Sequence, residues 1–235
     1  MISVEHRIPR DDMLLGIVRA EGLRSHQYPP GFDDRLRELL ARRSEGLDAE
    51  EEGRRAAARD MLRNGKYKPT GRGKPANEYL LRAAVEPDYA FPRINAPVDI
   101  CNYLSLLHII PISLWDLDLS NANKYVFRLG RSGERYVFNT AGQEIELEDL
   151  VIGCRVQPGT HPTEDPIVSP VKDSLATKTN DDTTRVAACV YAPAAAVSAS
   201  DLDRICGDFL DLLCACGESV EGGYSVLAPG STIES

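Results

Sequence analysis

Apolar residues recur every three to four positions in several stretches of the chain, which is the spacing of a helix with one buried face. This spacing predicts helices over residues 32–43, 97–108 and 201–216. A run rich in Ala, Glu and Arg that ends at Asn64-Gly65 predicts a helix over 48–64, and a short helix is expected over 75–85. Asp33 and Asp34 lie in the first turn of the first helix, where acidic side chains favour the helix dipole. Ser200 is the predicted N-cap of the last helix.

Short apolar runs between polar or turn-forming residues predict strands over residues 13–20, 124–129, 136–138, 150–154 and 185–191. The turn at 130–133 contains two glycines, so the strands on either side of it are expected to form a hairpin. Residues 157–170 have no periodicity and are predicted to be a loop, and the tail after residue 218 is expected to add one short strand. The prediction is a single α+β domain.

The stretch from Asn95 to Asp116 is the most unusual part of the chain. Pro97 suits the first turn of a helix, and Asn95, Asp99 and Asn102 then share one face of that helix. Such polar side chains either hold neighbouring backbone in place or line a pocket, with Trp115 and Asp116 following on an extended segment. The residue pattern leaves both interpretations open.

The overall composition is that of a globular protein. The 235 residues are 43% hydrophobic and 27% charged, with no apolar run of membrane-spanning length and no secretory signal, so a cytoplasmic protein is expected. The six cysteines are irregularly spaced, which favours free thiols over a disulfide framework. No metal site or cofactor is predicted, since Cys214-Ala-Cys216 has neither the spacing nor the second half of a zinc site.

Charge is unevenly distributed along the chain. Residues 54–82 contain nine basic and two acidic residues, a local net charge of +7, whereas the whole chain carries −9 and the remainder therefore −16. Within this region, residues 66–78 form a loop rich in glycine and proline that lacks P-loop spacing. The loop is either simply solvated or contacts an RNA backbone, and the candidate RNA-binding residues are Lys66, Lys68, Arg72 and Lys74.

Residues 173–184 are dense in hydroxyls and carboxylates and immediately precede a predicted strand. They form either an exposed turn or a set of hydrogen-bonding groups that meets a polar ligand at the mouth of a sheet.

Two linked motifs carry a resemblance to a known family. The run Ile94-Asn95-x-x-Val98-Asp99-x-x-Asn102-Tyr103, followed by Pro111-Ile112-Ser113-Leu114-Trp115-Asp116, resembles the B3/B4 domain of the phenylalanyl-tRNA synthetase beta subunit. That family has Ile-Asn-Asn-x-Val-Asp-x-Thr-Asn-Tyr, then Gly-Gln-Pro-Leu-His-Ala-Phe-Asp. The similarity continues through an Arg-x-Gly-Glu turn at 131–134, the strand at 150–152 and Asp182-Thr183-x-x-Val186, so that it covers about residues 67–193.

The resemblance implies an α+β fold in which helices surround a mixed or antiparallel sheet. Residues 1–66 would belong to the same globule as a B3/B4-like domain over 67–217, followed by a tail over 218–235. Synthetase catalytic motifs do not fit into the rest of the chain, so the resemblance implies a free-standing B3/B4 protein and not a full synthetase. In the parent enzyme this domain hydrolyses tRNA-Phe wrongly charged with tyrosine.

By this resemblance, the chain would bind the aminoacylated end of a tRNA and cleave its ester in trans, without membrane or DNA as partners. The implied pocket comprises Asn95, Asp99, Asn102, Ser113, Trp115, Asp116, Ser174, Thr179, Thr183 and Cys189. A positioned water would attack the ester without metal, since no Ser/His/Asp triad or other evident general base is present.

Two positions depart from the family pattern. Ser113 occupies the position of the family's histidine, and Cys189 that of a glutamate which helps to recognise the hydroxyl of tyrosine. A thiol replaces a carboxylate poorly opposite a phenol. The alternative function is therefore a non-enzymatic module that binds a free amino acid, a small metabolite or a protein partner.

Overall fold

Eleven strands and six helices make up the computed structural model, which describes residues 1–86, 88–159 and 162–234. The strands are β1 (Ser3–His6), β2 (Met13–Glu21), β3 (Ile112–Asp116), β4 (Lys124–Leu129), β5 (Arg135–Val137), β6 (Glu144–Glu146), β7 (Val151–Gln157), β8 (Thr163–Val168), β9 (Arg185–Pro193), β10 (Glu221–Leu227) and β11 (Thr232–Glu234). The helices are α1 (Phe32–Ser44), α2 (Ala49–Asp60), α3 (Ala76–Val85), α4 (Ala96–His108), α5 (Leu117–Ser120) and α6 (Ala199–Cys214). The α+β prediction is confirmed.

Two sheets pack face to face, and helices cover the outer face of one of them. An antiparallel sheet has the order β10-β2-β9-β3, and a mixed sheet has the order β11-β1-β4-β7-β8, in which only β1 and β4 run parallel. One hydrophobic core lies between the sheets, and a second lies between the antiparallel sheet and helices α1, α4 and α6. Segments before residue 67 and after residue 217 supply β1, β2, β10 and β11, so these segments contribute to both sheets.

Strand β7 carries an irregularity at Gly153, where its pairing with β8 shifts register. A Cβ atom at this position would lie 2.7 Å from the Phe127 ring and 2.6 Å from a methyl group of Val168. Glycine is required here because the side chains of two neighbouring strands fill the space that any larger residue would need.

The predicted hairpin between residues 124–129 and 136–138 is wrong. Strand β4 pairs with β7, and β5 pairs with β6. The chain leaves β4 at Gly130, whose backbone N–H donates to the carbonyl of Leu150 at 2.8 Å, so the strand that joins β4 comes from further along the chain. The glycine-containing turn therefore opens a short separate ribbon.

Three other local predictions also differ from the structure. Residues 157–170 are not a loop throughout, because β8 lies within them and pairs with β7. The N-cap of α6 is Ser198 and not Ser200, since Ser198 accepts from the backbone N–H of Asp201 while the Asp201 carboxylate accepts from the Ser198 N–H. The tail adds two strands, β10 and β11, and not one. Within the described ranges, no helix has the length and apolar character to cross a bilayer.

Arg43 is a fully buried charge that joins three helices. Its guanidinium, on α1, donates to the carbonyl of Leu106 at 3.0 and 3.1 Å and to that of Leu107 at 2.8 Å, and it pairs with Glu51 of α2 at 2.6 Å. The last carbonyls of α4 have no partners within their own helix, and Arg43 satisfies two of them.

We expect Arg43→Met to lower the free energy of unfolding by about 3 kcal/mol, because two buried carbonyls and Glu51 would each lose a charged donor. Arg42 offers a matched control, since it also reaches Glu51 (3.0 Å) but is half exposed, and Arg42→Met should cost about 0–1 kcal/mol. Denaturant unfolding of both variants measures the difference. Equal losses would contradict the role assigned to Arg43.

Candidate functional site

Four of the predicted pocket residues meet in two pairs that attach the 173–184 loop to the body of the protein. The Asn95 side-chain amide donates to the Thr179 hydroxyl at 3.1 Å, and the Thr183 hydroxyl donates to the Asp116 carboxylate at 2.6 Å. Asn95 also caps α4, and Asp116 caps α5. The four side chains therefore hold the loop across the start of α4 and the end of β3.

Asp99 faces a different set of partners. Its carboxylate is fully buried and accepts from Tyr28 Oη at 2.8 Å, Arg93 Nε at 2.7 Å and the Ile94 backbone N–H at 2.8 Å. It therefore holds the segments before α1 and α4 against α4. Asn102 is half-buried on the same helix, and Ser174 begins a short 3₁₀ turn by accepting from Ala176 N–H.

Ser113 and Cys189 are cross-strand partners on β3 and β9. The Ser113 hydroxyl donates to the Ser169 carbonyl at 2.9 Å and accepts from the Tyr191 hydroxyl at 3.1 Å. Ser113, Cys189 and Tyr191 are fully buried, and burial raises the pKa of both the thiol and the phenol well above their ordinary values. The phenol of Tyr191 thus occupies the space beside the two positions that depart from the family pattern.

Trp115 belongs to the core between the two sheets. It is fully buried, and its ring centroid lies 5.3 Å from that of Tyr125 and 6.4 Å from that of Phe127. Trp115 therefore contributes to the core packing beneath the 173–184 loop.

Asp173 is a carboxylate that was not among the predicted site residues. It is half-buried, and its two oxygens accept from the backbone N–H groups of Leu114 and Ser169, each at 3.3 Å. Desolvation raises its pKa to about 6, although the hydrogen bonds from the Leu114 and Ser169 backbone N–H groups act in the opposite direction. The sequence offers no signal that separates Asp173 from the other acids of its loop, because its environment is created by β3 and the end of β8.

A cavity of about 800 Å³ opens beside Lys172, the residue that precedes Asp173 in the chain, and Asp173 itself is not part of its lining. The Lys172 ammonium lies 4.0 Å from the centroid of the Phe138 ring. Burial together with the charges of Arg72 and Lys178 lowers the pKa of Lys172. The lining residues are Tyr67, Arg72, Gly73, Tyr79, Phe138, Gln143, Glu144, Ile145, Glu146 and Lys172.

The sequence pattern did not indicate most of this lining. Of the predicted pocket and RNA-binding residues, only Arg72 lines this cavity. Phe138 and the 143–146 segment come from the ribbon formed by β5 and β6 and its turn, whose position depends on long-range packing. The sequence did offer one signal for this cavity, namely the aromatic residues Tyr67 and Tyr79 in and just after the predicted basic loop.

The basic region over residues 54–82 is largely neutralised in the folded chain. Six of its nine cations form ion pairs, namely Arg54, Arg55, Arg59, Arg63, Lys66 and Arg82. Lys66 pairs with Glu148 at 2.8 Å, whereas Lys68 and Arg72 are exposed and Lys74 is half-buried beside a separate surface cavity. The local charge of +7 therefore overstates the positive surface.

Among residues 1–86, 88–159 and 162–234, no group of three or more His, Cys, Asp or Glu side chains is arranged to hold a metal ion. The six cysteines are free thiols.

The fold and the two linked motifs agree with the comparison with known families. The model of the B3/4 domain matches residues 73–203, which is more than half of the chain, so the protein belongs to the B3/4 domain family. This membership points to a family of RNA- and tRNA-related binding domains and confirms the resemblance found in the sequence. A comparison with curated proteins found no match.

The raised pKa of Asp173 gives a testable dependence of stability on pH. Its folded-state pKa of about 6 lies above the ordinary value of 3.8, so the native state binds a proton more readily than the unfolded state between these values. This stabilisation is complete below pH 3.8 and is lost as the pH rises through 6. As the pH falls from 7.5 to 4.5, the free energy of unfolding of the wild type should rise by about 2 kcal/mol relative to that of Asp173→Asn. Unfolding curves at several pH values test this, and a pH-independent difference would contradict it.

Proposed function

We propose that the protein binds the aminoacylated 3′ end of a tRNA in the cavity beside Lys172 and hydrolyses the aminoacyl ester. The observation that carries the proposal is the cavity itself, whose wall combines the cations Arg72 and Lys172 with aromatic rings. Membership of the B3/4 domain family supports the same class of ligand.

The lining of the cavity suits a single-stranded nucleotide end. Exposed bases bind to aromatic faces by stacking, and Tyr79 and Phe138 offer such rings at the wall. Arg72 and Lys172 offer positive charge to the phosphates, and Lys178 lies close by because its ammonium donates to the Phe138 carbonyl at 2.6 Å. One open cavity would thus contact both the bases and the backbone of the acceptor end.

In this proposal the general base is Asp173, which follows Lys172 in the chain but does not itself line the cavity. With a pKa near 6, it is mostly ionised at neutral pH and still basic enough to accept a proton from water. The water oxygen would bond to the ester carbonyl carbon while its proton moves to Asp173, and Lys172 would stabilise the oxyanion. Collapse of the intermediate would break the bond between the carbonyl carbon and the ribose oxygen, which takes the proton from Asp173.

The binding step predicts a local effect of charge. Replacing Arg72 and Lys172 together by alanine should weaken tRNA binding and lower the slope of log affinity against log salt by about 0.7 for each phosphate that the protein no longer neutralises. Lys66→Ala is the control, because Lys66 is exposed and already paired with Glu148. Fluorescence anisotropy at several salt concentrations measures both quantities. Equal effects of the control and the double variant would contradict the placement of the tRNA end in the cavity beside Lys172.

The chemical step predicts a pH profile. The deacylation rate on a mischarged tRNA should rise through about pH 6 and then level off, because Asp173 must be ionised to accept the proton. Asp173→Asn should lower the deacylation rate by about 100-fold or more and remove its rise through pH 6. Asp165→Asn, at a surface ion pair with Arg155, is the control and should leave the rate unchanged. A wild type that is inert on a full panel of mischarged tRNAs would overturn the enzymatic proposal.

A second candidate function is a non-enzymatic binding module. It is favoured by the complete burial of Ser113 and Cys189 and by the Tyr191 phenol beside them, which leave these two residues no exposed surface for a substrate. A small metabolite would then occupy the cavity beside Lys172 without reaction. Calorimetric binding of a small ligand, together with no affinity for tRNA, would favour this candidate over the first.

A further inference from the structure

A second cavity, of about 190 Å³, lies where α2, the end of α4 and the first half of α6 meet. Arg54 from α2 and His108, the last residue of α4, face Asp201, Arg204 and Asp208 of α6 across it. Ile205, which is buried, contributes an apolar wall. No residue of this cavity lines the one beside Lys172, so the two are separate sites.

Two polar atoms of the lining are buried without a hydrogen-bond partner among the described residues. They are Nε2 of His108 and Nε of Arg54. Buried polar atoms in folded proteins are nearly always paired, so unpaired ones at a cavity indicate that a polar molecule completes them. Burial, and then the charges of Arg54 and Arg204, lower the pKa of His108 to about 4, which leaves its ring neutral and able to donate from one nitrogen.

Charges of both signs face this cavity, but only some are already engaged. Arg54 uses its terminal nitrogens on Glu50 at 2.8 Å and on the His108 carbonyl at 3.4 Å, which leaves Nε unused. Arg204 is paired with Asp201. Asp208 is exposed, and within the described chain its carboxylate forms no ion pair. Among the described residues, the groups without a partner are Nε of Arg54 and Nε2 of His108 on one side of the cavity and the Asp208 carboxylate on the other.

We propose that this cavity binds a small zwitterion, with its carboxylate on Arg54 and His108 and its ammonium on Asp208. A simple anion would meet the carboxylates of Asp201 and Asp208, and a simple cation would leave the donors of Arg54 and His108 unpaired. A ligand that carries both charges a few atoms apart satisfies both sides of the site, and free α-amino acids form that chemical class. This site does not depend on the function proposed for the cavity beside Lys172.

Isothermal titration calorimetry of the full chain with L-alanine tests the proposal, and acetate and methylammonium serve as probes with one charge each. L-alanine should bind saturably, and each single-charge probe at least about tenfold more weakly, since each lacks one charged hydrogen-bonding group. Arg54→Met and Asp208→Asn should each weaken L-alanine binding by about tenfold or more. The matched controls are Arg63→Met, just after the C-terminus of α2, and Asp203→Asn on α6. Both should leave L-alanine binding unchanged.

Three outcomes would overturn the assignment. Acetate that binds as tightly as L-alanine would define an anion site. L-alanine binding that survives both Arg54→Met and Asp208→Asn would place the ligand elsewhere. Absence of saturable binding by a wild type whose unfolding curve is normal would exclude this cavity as an amino-acid site.

Discussion

Strand β9 is buried from Val186 to Pro193, and the two hydrophobic cores lie on its opposite faces. Val186, Ala188, Val190 and Ala192 pack toward the helices, whereas Ala187, Cys189 and Tyr191 pack toward the second sheet. A shift of one residue in its pairing would exchange the two sets, so the small residues and Tyr191 determine the register. That register places Ser113 opposite Cys189 and brings the Tyr191 hydroxyl to Ser113. The polar groups near the candidate site therefore depend on how both cores are filled.

The sequence predicted those parts of the fold that rest on local periodicity and capping. The helix after Pro97, the amphipathic helix after Gly31 and the strand before Gly22 are placed within a few residues of their observed bounds. It failed where pairing is decided by distant partners. Strands β5 and β6 have three residues each, and the Pro-containing β8 pairs with β7 across a register shift, so neither leaves a local pattern strong enough to identify it. For the site, the family resemblance indicated Asn95, Thr179, Asp116 and Thr183, but Asp173 and Phe138 acquire their positions only through tertiary packing.

The number of positive charges in a stretch of this sequence differs from the number that stay unpaired on the surface of the folded chain. Helix α2 carries three glutamates in its first turn and arginines after them, and most cations of α2 and its neighbours pair with an acidic side chain once the helices pack together. Those that remain near an opening, Arg72 and Lys172, are separated by about a hundred positions in the chain. The lining of this cavity also contains Glu144 and Glu146, so its formal charges balance, whereas the chain as a whole carries −9.

The last described segments of the chain supply one outer strand of each sheet, since β10 pairs with β2 and β11 pairs with β1. During synthesis, strands β1 and β2 are made first, yet their free edges stay uncovered until residues 221–234 have left the ribosome. Exposed strand edges readily pair with other chains. The nascent protein therefore passes through a stage in which β1 and β2 are themselves edge strands, and translation that stops just short of residue 221 would release a chain prone to aggregate rather than a slightly shortened domain.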